Sequence, residues 1–259
     1  MYTNNTMTDS LSTRNTHQTI LLEMLLEVDK LCKQNDIKYF LDSGTLLGAI
    51  RHQGFIPWDD DVDISMLRPD YERFLLIAES QLSPAYFLRT NRSDPTYNLG
   101  IPKVILDKNG EMISLDIFVV DNAPNSRWGN SLRVLMMKVL QGFAKSGAEI
   151  SYKDYNSLWE RLAVLVTSSI GRLFPLSFVL KAQNRIAKAF GKKETRFKCV
   201  NTYAFKELHC LFPAEAFNKV EEMSFEGYLL PVPQGWHAVL SILYGNYMEL
   251  PPEEERVRK

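Results

Sequence analysis

The sequence predicts an α/β fold with a mixed sheet and an inserted, basic helical region. Short strand-like and helix-like patterns alternate on a close pitch over residues 20–122 and resume after residue 200, whereas residues 127–198 carry helical patterns alone. Charge divides in the same way. Residues 127–198 hold 14 Lys+Arg against four acidic residues, and the remainder holds 16 against 27. These nearly cancel to a formal charge of -1 over 259 residues, which excludes a uniformly basic nucleic-acid binder. With 45% hydrophobic and 24% charged residues, the composition also excludes collagen, coiled coil and bulk disorder.

Residues 1–16 are rich in Ser, Thr and Asn and lack the basic and apolar regions of a secretory leader, so a flexible segment is expected there. From His17 to Gln34, Leu21, Met24, Leu25, Val28, Leu31 and Cys32 follow the i, i+3, i+4, i+7 rule of an amphipathic helix. KYFLDSG (38–44) predicts a short strand, GTLLGAIRHQG (44–54) a helix bracketed by glycines, and DVDISML (61–67) an alternating strand. A helix over 68–82 and the strands AYFLRT, PKVIL and EMISLDIFVV complete the first block, with the turn signal DKNG before the last strand. Residues 127–198 predict helices broken near Gly142, Gly171 and Pro175. Leu162 to Leu180 is about the length of a membrane span but contains Arg172, Pro175 and four Ser or Thr residues, so no span is expected. FEGYLLPVP is read as a proline-flanked strand and QGWHAVLSILYG as a helix ending at Gly245. The boundaries are thus 1–16, a core over 17–126, the helical insertion over 127–198, and 199–259 as the C-terminal part of the core.

Four aspartates, Asp59, Asp60, Asp61 and Asp63, crowd into WDDDVDIS. On a strand, Asp61 and Asp63 share one face while Val62 and Ile64 take the other, so two carboxylates form an oxygen-rich patch beside a buried one. Such crowding repels unless a cation intervenes, and hard oxygen ligands suit Mg²⁺ or Mn²⁺. Asp116, embedded in an apolar strand, needs a partner and is a third candidate. Asp121, at the end of the same run, is read as a turn residue. The glycine turn at Gly44 and Thr45 opens into a helix whose N-terminus can cradle phosphate, with Arg51 in reach of the same anion. About fifteen residues separate it from the acidic strand, so the two can wall one pocket.

DSGTLLGAIRHQGFIPWDDDVDISM resembles the signature of the LicD family, bacterial phosphocholine transferases related to fukutin and fukutin-related protein. FEGYLLPVPQGWHAVLSILYGNYMELPP resembles the family's C-terminal motif. The resemblance covers roughly 20–122 and 200–255 and implies a nucleotidyltransferase-like fold. It further implies transfer of phosphocholine from CDP-choline to a sugar hydroxyl of a cell-surface glycan (lipopolysaccharide, teichoic acid or capsule), with release of CMP. In that frame Asp61, Asp63 and Asp116 are catalytic, Asp59 joins them as metal ligands for Mg²⁺ or Mn²⁺, and Gly44, Thr45, Arg51, Lys103 and Tyr247 bind the nucleotide or donor. Asp116 would complete the metal site or accept the hydroxyl proton. CDP-ribitol or CDP-glycerol would use the same metal and phosphate residues. A catalytically silent nucleotide-binding scaffold is the reading from another class, and the retained acids argue against it.

Lys103 either faces the diphosphate or is an edge-strand lysine. His52 is a candidate base or a plain surface residue. Cys199, His209 and Cys210 fall short of a four-ligand zinc site, so packing is expected. Trp58, Trp236, Tyr244 and Tyr247 could box a quaternary ammonium; core packing is favoured for Trp236 and Tyr244, and Tyr247 is the better pocket residue. Three cysteines without a CxxC pair point to a reducing compartment and so to the cytoplasm. The acceptor is expected to be lipid-linked, with the basic helices either touching the inner leaflet of the membrane or simply solvated.

Overall fold

A computed structural model of the chain describes residues 15–146, 157–191 and 193–256. Almost all of the segment expected to be flexible, 1–16, lies outside them. Asn15 caps α1 (Thr16–Gln34), its side chain accepting from the Gln18 N–H at 2.8 Å. The predicted apolar stripe of α1 is buried, with Leu21, Met24, Leu25 and Val28 all fully enclosed.

The sheet is built around β5 (Glu111–Asn122), whose second half is an almost unbroken buried run, as a central strand requires. On one side, β2 (Val62–Leu67) runs parallel to β5 and carries β1 (Phe40–Leu41) antiparallel at its outer edge. On the other, β4 (Lys103–Lys108) and then β3 (Tyr86–Arg89) add antiparallel. The order is β1-β2-β5-β4-β3, a mixed sheet. α3 (Arg68–Gln81) begins where β2 ends, with Pro69 in its first turn, where the missing N–H costs nothing.

The inserted helices are α4 (Arg127–Ala144), α5 (Leu158–Gly171) and α6 (Leu176–Ala187). The chain then rejoins the same sheet through β6 (Phe197–Val200), which pairs with the end of β5, and β7 (Phe212–Pro213). Arg133 of α4 is only 4% exposed and ties the helices to this return, donating to Asn201 Oδ1 and to the Leu208 carbonyl, each at 2.7 Å.

One expectation is corrected in the C-terminal part. FEGYLLPVP is not one strand: Phe225 ends β8 (Val220–Phe225), Glu226 and Gly227 form a two-residue turn with φ of 52° and 86°, and β9 (Tyr228–Pro233) returns antiparallel. Glu226 Oε1 accepts from the Phe55 N–H at 3.0 Å, in the space a Cβ on Gly54 would need. HQGF and FEG, far apart in sequence, are therefore two sides of one joint. α7 (Trp236–Tyr244) closes the core against α2 (Ser43–His52). Cys199 and Cys210 are buried while His209 is exposed, as packing predicts.

Candidate active site

β2 alternates as its sequence requires: Val62 and Ile64 are fully buried, and Asp61 and Asp63 turn to the other side. Register places Asp63 beside Asp116 on β5, and Asp116 beside Lys103 on β4. Three strands thus present one row, Asp63–Asp116–Lys103. Lys103 Nζ lies 2.8 Å from Asp116 Oδ1. The edge-lysine reading is therefore corrected, because β3 flanks β4 on its outer side.

The start of α2 is fastened to this row. Asp42 caps the helix, its carboxylate accepting from the Ser43 N–H at 2.8 Å, and its own N–H donates to the Asp63 carbonyl at 3.0 Å. Thr45 Oγ1 accepts from the Asp63 N–H at 2.9 Å. Thr45 is thereby a buried brace for Asp63. Gly44 makes room instead, since a Cβ there would stand 2.6 Å from Asp59 Oδ2, and only glycine lets that carboxylate rest on the helix's first turn. The loop is pinned from behind by α1, where Gln18 Nε2 donates to the Asp59 carbonyl at 2.9 Å and His17 Nε2 lies 3.0 Å from the Asp60 carbonyl.

Acidic groups converge here. Asp59, Asp60 and Asp61 each offer an oxygen within 4.8 Å of the others. Asp63 sits deeper, and desolvation, followed by the charges of Asp61, Asp116, Asp42 and Asp59, pushes its carboxyl well above the ordinary range. This donor set, all oxygen and repelling itself, fits a hard divalent cation. Its tightest part is Asp59–Asp61 with Asp60 included, while Asp116 is already engaged by Lys103.

A cleft of ≈ 920 Å³ opens beside the acids, lined by Ser43, Gly44, Asp59, Asp61 and Asp63 together with Tyr203, Glu207 and Tyr244. Arg51 also lines it, but its Nη1 donates to the carbonyls of Tyr247 at 2.9 Å and Glu249 at 3.2 Å, so it clamps the C-terminal loop to α2. Both tyrosines line the cleft, so Tyr247 sits where it was expected and the core expectation for Tyr244 is corrected. Tyr247 is 7% exposed with its hydroxyl 2.6 Å from His237 Nδ1, while Tyr244, expected in the core, is 44% exposed on the cleft. Gly245, at φ 66°, ends the helix between them and turns the chain so that Tyr247 goes inward. Trp236 is half-buried against the core, and Trp58 stands at the cleft with the Arg256 guanidinium 5.8 Å from its ring centre. Burial and then the neighbouring Arg51 charge hold the His52 imidazole below its ordinary pKa.

Asp121 is no turn residue. It lies on β5, 3% exposed, and takes a two-pronged ion pair from Arg68 at 2.7 and 2.6 Å. Two acids go unnoticed in the sequence. Asp42 is buried, accepts from the Tyr203 hydroxyl at 2.7 Å and leaves its Oδ2 without a hydrogen bond among the described residues; its position before the helical glycine turn was a readable cap signal. Glu207 carries a buried Oε2 that is likewise unbonded among the described residues, and no local pattern marks it. A second cavity of ≈ 630 Å³ shares Phe118, Tyr203, Ala204 and Glu207 with the cleft.

Residues 36–134 match the family model described as LicD/FKTN/FKRP, nucleotidyltransferase domain. The chain is 30% identical over 258 residues to the lipopolysaccharide cholinephosphotransferase LicD of Haemophilus influenzae, covering 92% of each protein. Shorter matches join it to two uncharacterized Rickettsia proteins, at 40% identity over 72 residues in Rickettsia typhi and 50% over 50 residues in Rickettsia prowazekii. These cover 28% and 19% of this chain.

Proposed function

The chain belongs to the LicD family, and from that membership and the shape of its acidic cleft we propose that it transfers phosphocholine from CDP-choline to a hydroxyl of a bacterial cell-surface glycan. The acceptor hydroxyl oxygen bonds to the phosphorus that carries choline, the bond from that phosphorus to the bridging oxygen breaks, and CMP leaves with the bridging oxygen. The hydroxyl proton passes to a carboxylate and then to water. Asp59, Asp61 and Asp63 would hold Mg²⁺ or Mn²⁺, which when bound neutralises the diphosphate and the departing CMP.

The protein's own part is placement. Thr45 and Asp42 fix the backbone of Asp63 from both sides, so its carboxylate cannot wander as the charge beside it changes. Lys103 pairs with Asp116, which makes Asp116 a positioning group beside Asp63. Ser43 and Gly44, at the positive end of α2, suit the donor phosphates. Arg51 keeps the C-terminal wall closed on them.

The observation that carries the reading is that the acid row and the helix start share one cleft. Choline is favoured over ribitol or glycerol by the aromatic lining of the cleft, Phe118, Tyr203 and Tyr244, with Glu207 among them. Aromatic faces and a carboxylate suit a quaternary ammonium, which has no N–H to donate. The reading keeps the reaction in the cytoplasm, on a lipid-linked glycan. The test is CMP release from CDP-choline by wild type and Asp61→Ala with Mg²⁺ and then with chelator. Release that survives both the substitution and the chelator contradicts the assignment.

A further inference from the structure

The helical region turns an apolar side outward. On α4, Trp128, Leu132, Leu135 and Met136 recur at i, i+4, i+7 and i+8 as one stripe, exposed by 89%, 58%, 60% and 41%, while Arg133, Met137 and Ala144 are buried on the opposite face. α5 repeats the inversion. Val164, Ser168 and Gly171 are buried, and Leu158, Trp159, Leu162, Leu165 and Val166 face out, with Trp159 81% exposed. Soluble monomers rarely leave so many large apolar side chains, two tryptophans among them, exposed on neighbouring helices.

Charge says what covers it. Arg127 adjoins Trp128, Arg172 adjoins the 78%-exposed Leu173, and Lys181 and Arg185 follow the exposed Phe178 along one face of α6. The described residues of this region carry two acids, Glu160 and Glu194. A bulky apolar stripe with tryptophans, bordered by cations, matches the headgroup boundary of an anionic bilayer. By itself α5 is too short to cross it, with 14 residues, ~21 Å, against a hydrocarbon core of about 30 Å. No single described helix is long and apolar enough to span, and α5 and α6 meet at a bend of 116°.

We propose that the outer face of α4 and α5 lies flat on an anionic phospholipid surface, seating Trp128 and Trp159 at the headgroup level. This does not rest on the choice of donor, and a failure here leaves the CMP-release test untouched.

The test is flotation of the full chain with phosphatidylglycerol-containing and with pure phosphatidylcholine vesicles, at low and high salt. Binding to the anionic vesicles is expected, weakened about tenfold or more by salt and by Leu132→Ser with Leu162→Ser. Because those changes could disturb the helices, the wild-type chain is also titrated with vesicles whose lipid tails carry bromine. Tryptophan emission should be quenched, and Trp128→Phe with Trp159→Phe should remove that quenching while CMP release persists. No flotation at low salt overturns the proposal, as does quenching that survives the tryptophan changes. A wild-type dimer that Leu132→Ser with Leu162→Ser converts to monomer also overturns it, since the face would then join two copies of the chain.

Discussion

In the sheet, Val62, Ile64 and Leu115 are fully buried and Asp61 faces solvent; in the inserted helices Arg133 is 4% exposed and Trp128 is 89% exposed. Both regions obey the same periodicities, and β2 and β5 of the sheet and α4 and α5 of the insertion form as their patterns predict. What differs is which face finds a partner. The core closes its apolar side with α1, α2 and α7, and uses the polar side of β2 for chemistry. The helices are anchored through a buried arginine and keep their apolar side outward. Charge arithmetic separates the two regions, but burial shows that they answer to different surroundings.

The largest expected effect tests whether chemistry belongs wholly to the sheet. Asp63→Asn should lower CMP release by about 10³-fold, ~4 kcal/mol, with the thermal midpoint held or raised. Removing a self-repelling carboxylate relieves the strain that desolvation and four neighbouring acids impose on it. Next, Arg133→Met should cost about 2–3 kcal/mol in urea unfolding, because the Leu208 carbonyl and the Asn201 amide oxygen lose a buried donor. If the helical block came away while the sheet stayed folded, two transitions would replace one.

A smaller change probes the carboxylate that lines the cleft with the aromatic residues. Glu207→Gln should raise KM for CDP-choline about tenfold, ~1.4 kcal/mol, and leave CDP-glycerol nearly unaffected. The least effect is expected at His52, whose folded pKa is depressed by burial and by Arg51. Its contribution to stability is present above the unfolded value of ~6.5 and is lost as pH falls through the lowered folded value. His52→Gln should therefore flatten the loss of stability on acidification, measured by thermal unfolding at successive pH values. A pH profile of CMP release left unchanged by the same substitution would remove His52 as a base.

The row of acids was legible because strand alternation is local: once Val62 and Ile64 are assigned inward, Asp61 and Asp63 follow. Gly44 was legible as a special residue, although its reason, the approach of Asp59, belongs to the folded chain. The misreadings arose where a partner is distant. Asp121 ends an apolar run like a turn residue, yet Arg68 lies 53 positions away. Asp42 meets Tyr203 across 161 positions, and Lys103 meets Asp116 only through the sheet's register. β8 escaped because VEEMSF lacks a strong apolar alternation and draws its order from β9. Tyr244, expected in the core, reaches the cleft at the last turn of α7, just before Gly245, and no local pattern marks that exposure.

Whether the acidic cleft is a cation-dependent phosphocholine site is decided by release of CMP in the presence of glycan acceptor and Mg²⁺, compared across CDP-choline, CDP-ribitol and CDP-glycerol at equal concentration. Such a site should give kcat/KM for CDP-choline at least about tenfold above either polyol donor, and no release from any donor once the cation is chelated. Equal turnover of all three donors, or turnover that survives chelation, would contradict it.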